Sequence, residues 1–329
     1  MVRLSVRAAP STEPGEKSAN SARTPATLPL NDNLILVYRL SVALAGLLCV
    51  ASVIGLAFGW SGLYEPYPAA LAGLVGQDIV TLAIGLPLLL GAMRLARRGS
   101  ARGLLLWAGA LFYIAYSYYF FLVGGFNALF LVYVAIVATS LYALLALLFR
   151  IDADALTAQF TDRAPVRRVA IFFVVISILF AVMWGGLSIA SALTGTTPGP
   201  VVHLVVAIDG AVLLPLLLWG GVKLWRREPW GYLLGGLLLT KATATGFTLA
   251  FTSALALWWA GRVDPFEASL ALLFGVMALV GVTLLITYLR SAATPDRDAA
   301  QTRSSARRLG PHRPAANQVS RLEAPRSPT

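Results

Sequence analysis

Four ionisable side chains stand inside stretches that are otherwise apolar: Asp78, His203, Asp209 and Lys241. Such groups are costly in hydrocarbon and mark solute paths, proton relays or buried ion pairs. Lys241 begins a polar stripe with Thr245, Thr248 and Thr252, spaced to share one face of a helix. That stripe reads as a wall of a hydrated cavity, with a small-residue packing face as the bland alternative. Gln77, Asp78 and Thr81 fall within one helical turn. Asp78 lies nine residues before Pro87 and Asp209 six before Pro215. At this similar depth two carboxyls could share a proton across a common axis. Lys241, on the segment after Asp209, is expected to reach it as a buried ion pair. Counted from Gly103 as Lys241 is from Gly231, the matching position holds Tyr113, whose hydroxyl needs a partner. His203 is placed near the outer surface. The candidate solute or ion path is therefore Asp78, Asp209 and Lys241, with Tyr113, Thr245, Gln77 and His203.

Other chemistries lack their residues. There is no HExxH, no histidine pair at i, i+4, no CxxC, no Walker loop and no GxSxG. No catalytic residue, metal ligand set or cofactor site is assigned. The single cysteine, Cys49, makes no internal disulfide. His312 falls in the polar C-terminal tail.

The elements that carry these residues are eight apolar segments, at roughly 37–60, 70–95, 103–123, 126–149, 168–194, 200–225, 230–259 and 266–290. Each is long enough to cross the bilayer core as a helix, which takes ~20 residues. The chain has 329 residues, of which 58% are hydrophobic and 12% charged. Its net charge of +11 would suit a nucleic acid, but 24 of the 26 basic residues fall in the tails, beside Arg39 or in every second gap. That alternation is the positive-inside rule repeated along the chain. It predicts a multi-pass protein of the cell (inner or plasma) membrane with both termini cytoplasmic. No nucleic-acid partner is needed; the partners expected are membrane lipids, with anionic headgroups at the cytoplasmic face. Trp60, Trp258 and Trp259 are expected at outer ends, Trp225 and Trp230 at inner ends, as an aromatic belt.

The chain also repeats itself. Leu86-Pro87-Leu88-Leu89-Leu90 is followed by Arg97-Arg98 and Gly103; Leu214-Pro215-Leu216-Leu217-Leu218 is followed by Arg226-Arg227 and Gly231. Phe126 and Arg150 stand 24 residues apart, as do Phe266 and Arg290. These matches predict an all-α bundle of two parallel four-helix repeats, related by an axis along the membrane normal. The expected organisation is a disordered N-tail (1–34), repeat 1 (35–150), a cytoplasmic linker (151–167), repeat 2 (168–290) and a disordered basic C-tail (291–329). Gly55 with Gly59, and Gly231 with Gly235, read as ordinary helix-packing signals.

The alternating apolar hairpins, Gln77-Asp78 with Pro87, and Phe126-Asn127 resemble uncharacterised bacterial multi-pass inner-membrane proteins, over about 37–290. That resemblance implies no activity. The leading reading is a transporter or permease-like carrier of a small solute with a mid-membrane polar site. The alternative is a non-catalytic scaffold or sensor with structural buried charges; a membrane-embedded enzyme ranks third.

Overall fold

A bilayer core offers no water to backbone polar groups, so an apolar segment crossing it must satisfy them within itself, as a helix. The computed structural model describes residues 29–30, 33–64, 68–123, 125–196 and 200–292. Among them are eight helices long and apolar enough to cross a membrane: span 1 (Ile35–Ser61), span 2 (Leu71–Arg97), span 3 (Ala101–Val123), span 4 (Phe130–Leu148), span 5 (Val166–Thr194), span 6 (Val202–Trp225), span 7 (Pro229–Ala260) and span 8 (Pro265–Ser291). The protein is thus an all-α multi-pass bundle, as the sequence predicts. Most of each expected tail (1–28 and 293–329) lies outside the described residues. Span 4 starts later than expected. Asn127 turns the chain first, its side chain accepting from Leu129 N at 2.9 Å, and Phe126 is exposed. Span 8, by contrast, is capped by Asp264, which accepts from Phe266 N and Glu267 N. The Phe126 and Phe266 matches therefore do not share a local structure.

Spans 3 and 7 form the centre. In the most apolar stretch of each, 61% and 83% of residues are buried, against 17–39% in the other six. Small residues allow the approach. A Cβ at Gly109 would fall 2.8 Å from the Leu237 carbonyl oxygen, and one at Gly236 2.8 Å from the Leu105 side chain. Around this pair each half keeps the same order of neighbours, 1–2–3–4 and 5–6–7–8. Span 1 also packs along span 4, whereas span 5 barely meets span 8.

The match between halves extends to backbone detail at a constant offset of 128 residues (81 to 209, 99 to 227, 103 to 231). Wide π turns occupy Thr81–Gly85 and Asp209–Leu213, just before Leu86-Pro87 and Leu214-Pro215. A proline has no N–H to donate, and its ring crowds the carbonyl four residues back. The π turn relieves that crowding. Past spans 2 and 6, Gly99 (φ 79°) and Arg227 (φ 56°) both turn left-handed. Ser100 N bonds Leu95 O as Glu228 N bonds Lys223 O. A Cβ at Gly103 would lie 2.3 Å from Ala96 N, and one at Gly231 2.4 Å from Leu224 N. Only a glycine lets the next helix start so close to the last turn of the one before.

The linker expected at 151–167 is folded. Asp152 accepts from Asp154 N and Ala155 N, both at 3.0 Å, and so caps a short helix, Ala153–Thr157. Asp152 N donates to Pro29 O, so packed chain begins earlier than the expected boundary at residue 34. Phe160 sits 4.9 Å from the Tyr232 ring and 5.1 Å from the Tyr288 ring. Thr161 N donates to Ser291 O, and the Arg102 guanidinium to Ala292 O at 2.7 Å. The strap thus ties the basic ends of both halves together.

Candidate functional site

Asp78 lies on span 2 one turn before the π turn and is wholly buried. The Tyr64 hydroxyl, from the turn after span 1, donates to its Oδ2 at 2.5 Å. Burial and the adjoining carboxyl push the Tyr64 hydroxyl far above its ordinary range, so the phenol keeps its proton and is the donor. Asp78 Oδ1 has no partner within hydrogen-bond distance. The Ser52 hydroxyl faces the same carboxyl but is engaged with Tyr118 Oη at 3.0 Å. Space for this cluster comes from span 1. A Cβ at Gly55 would fall 2.1 Å from Asp78 Oδ2 and 2.2 Å from Tyr64 Oη; one at Gly59 would meet the Tyr64 ring at 2.9 Å. The Gly55/Gly59 pair therefore houses an acid–phenol couple as well as packing a helix.

Above Tyr64, at the end of the bundle away from the basic hairpins, opens a cleft of about 340 Å³. Tyr64, Leu74, Phe121, Phe126 and Asn127 line it, with no basic residue among the described residues. Gly62 (φ 97°) and Gly125 (φ 130°) stand on its rim, where side-chain-bearing residues would be strained. Behind it, Phe121 lies 4.9 Å from both Tyr118 and Tyr133, and the buried Tyr133 hydroxyl has no partner. On the other side of the helix turn, Gln77 Nε2 donates to Thr81 Oγ1 and to Tyr113 Oη, each at 3.2 Å. Tyr113 Oη pairs with Thr248 Oγ1 at 2.7 Å.

Asp209 forms a separate cluster. Tyr116 Oη donates to its Oδ1 at 2.6 Å and Trp184 Nε1 to its Oδ2 at 3.0 Å. Lys241 Nζ stands 3.4 Å from the centre of the Tyr116 ring. The expected direct Lys241–Asp209 ion pair is corrected: the phenol lies between the charges, with its face to the cation and its hydroxyl to the carboxylate. Nor do Asp78 and Asp209 share a proton, since each has its own phenol donor. At the constant offset Asp209 corresponds to Thr81, and Val206 to Asp78. Lys241 corresponds to Tyr113, as expected.

The Lys241–Thr252 stripe is a buried seam between the halves. Thr248 meets Tyr113, and a Cβ at Gly76 would fall 2.8 Å from the Thr252 methyl. Thr245 is buried there and its hydroxyl has no partner. His203 stands apart, exposed, on an open cleft of about 470 Å³ with Ser188 and Ser191 of span 5. Among the described residues no group of three His, Cys, Asp or Glu could hold a metal ion.

The structure thus brings Gln77, Asp78 and Tyr113 to one side and Asp209 with Lys241 to another. Tyr64, Tyr116, Trp184, Tyr118 and Tyr133 were not singled out as partners in the sequence. The available signal was energetic: each buried carboxyl demands a donor, and phenols are plentiful on span 3. No family model matches the chain, and comparisons with curated proteins and with solved structures return no match.

Proposed function

We propose that this protein is a membrane carrier for a small solute, loaded at Asp78 from the outer face. One observation carries the reading. The floor of the open cleft is Tyr64, whose hydroxyl holds one oxygen of a buried carboxyl while the other oxygen is unmet. A carboxyl in hydrocarbon carries either a proton or a bound partner, so solute arrival and proton movement are coupled there. The π turn and proline on the same span give the helix a local break beside the site. In this reading the two halves are copies of one four-helix unit, both termini and the basic hairpins face the cytoplasm, and those hairpins hold anionic headgroups. The backbone correspondence at the constant offset supports the duplication.

A second reading, a scaffold or sensor, is favoured by the closely packed Lys241–Tyr116–Asp209 cluster, where the charges are paired through a ring. Proteoliposomes loaded with a pH-sensitive dye separate the two. Addition of cationic, anionic and neutral small solutes in turn is expected to give proton movement with one class. Vesicles that stay silent to every class, with protein that is inserted and monodisperse, would favour the scaffold.

A further inference from the structure

We propose that the Asp78 site takes a small organic ammonium ion. This deepens the carrier reading and rests on it. Two buried oxygens at the site lack a donor, Asp78 Oδ1 and Tyr133 Oη. The Tyr133 hydroxyl faces Tyr64 and Asp78. A protonated amine brings N–H donors for both and a positive charge for the carboxylate. A solute carboxylate would instead meet a like charge. A neutral solute would leave the carboxyl protonated and bring no charge to pair with it.

The walls favour the same class. Tyr64 and Phe121 line the cleft with their rings 6.0 Å apart, and Tyr118 and Tyr133 stand behind Phe121 in the same ring cluster, on the Asp78 side of the cleft floor. Aromatic faces attract ammonium groups and their adjoining carbons. A bare alkali ion wants more oxygen ligands than two hydroxyls and a carboxyl supply, and it gains little from rings. Among the described residues no Lys, Arg or His lines the cleft to repel a cation. At about 340 Å³ the cleft is at the small end of ligand sites, which fits a single-ring or short aliphatic amine. Charge balance is kept: the ammonium enters as the carboxyl proton leaves, so the buried site bears no net charge in either state.

The test is binding to the purified protein in detergent, followed by thermal shift and calorimetry. The probes are phenethylamine, phenylpropionate and phenethyl alcohol, alike in shape but cationic, anionic and neutral. The amine is expected to bind saturably, at least tenfold tighter than the other two. Asp78→Asn should abolish that preference, and Glu267→Gln, an acid at the same end but outside the cleft, should keep it. If Asp78→Asn does not fold, Tyr133→Phe should still weaken the amine several-fold. Equal binding of all three probes, an unchanged preference in the Asp78 variant, or a sodium salt that stabilises as well as the amine would overturn the inference. In proteoliposomes, flux driven only by the anion or the alcohol would overturn it and leave the carrier standing. An amine that binds at Asp78 yet drives no flux would keep the site and overturn the carrier.

Discussion

Gly55→Ala isolates the housing of the Tyr64–Asp78 pair. The added methyl would stand 2.1 Å from Asp78 Oδ2 and 2.2 Å from Tyr64 Oη, so one of the two must leave. Forcing a methyl into packed structure costs ~1–3 kcal/mol. Parting the pair leaves a buried carboxyl oxygen unmet, which adds ~1–3 kcal/mol. The two costs together come to ~2–6 kcal/mol, and at about 2.1 cal/mol/K per residue a chain of 329 residues shifts by ~1.5 °C per kcal/mol, so the melting temperature in detergent should fall by roughly 3–9 °C. Gly46→Ala is the control, on the same helix with nothing within 4 Å of the new Cβ. It should leave the melt unchanged or raise it slightly, since alanine is the better helix residue. Adding Tyr64→Phe to Gly55→Ala removes the crowded hydroxyl and should recover part of the loss. If Gly55→Ala melts with Gly46→Ala, the pair is not seated against span 1 and the site geometry is wrong.

Four further outcomes are expected. Gly103→Ala and Gly231→Ala each drive a methyl into backbone, 2.3 Å from Ala96 N and 2.4 Å from Leu224 N, so both melts should drop by similar amounts; a loss in one alone would break the equivalence of the hairpins. Tyr116→Phe keeps the ring under Lys241 but removes the donor to Asp209, and should cost ~1–3 kcal/mol by thermal melt. Lys241→Met and Asp209→Leu should each destabilise more than their double variant, and strict additivity would argue against charge pairing through the ring. For topology, cysteines at Ser61 and Arg262 in a Cys49→Ala background should react with an impermeant thiol reagent from outside, and one at Arg98 should not; labelling at Arg98 alone inverts the orientation. Arg98 is exposed and serves as the reporter, whereas Ser100 in the same hairpin is buried.

Much of the architecture was legible because the bilayer imposes it. Segment length gave the eight helices, and the proline-led motif of spans 2 and 6 marked two alike hairpins; the π turns just before it emerge only in the structure. The fold of the linker was not, since Asp152 as a cap and Phe160 between two tyrosines depend on segments far apart in sequence. Asp78, Asp209 and Lys241 are buried, as their apolar surroundings in the sequence imply, yet their partners were misassigned. Depth along a helix placed Lys241 level with Asp209 but could not show that Tyr116 stands between them. Similar distances before a proline, nine residues and six, made Asp78 and Asp209 look equivalent, whereas the backbone offset pairs Asp209 with Thr81. Gly55 and Gly59 carried a packing signature, and nothing local to them named Tyr64 as the side chain they admit.

The central claim is that Asp78 carries the solute while the Asp209–Tyr116–Lys241 cluster holds the fold. Solute-driven proton movement in proteoliposomes tests it directly, comparing Asp78→Asn with the double variant Lys241→Met, Asp209→Leu, which removes both charges of the second cluster together. The account predicts that Asp78→Asn is silent although folded and inserted, and that the double variant still moves protons on addition of solute. Activity retained in Asp78→Asn and lost in the double variant would contradict it.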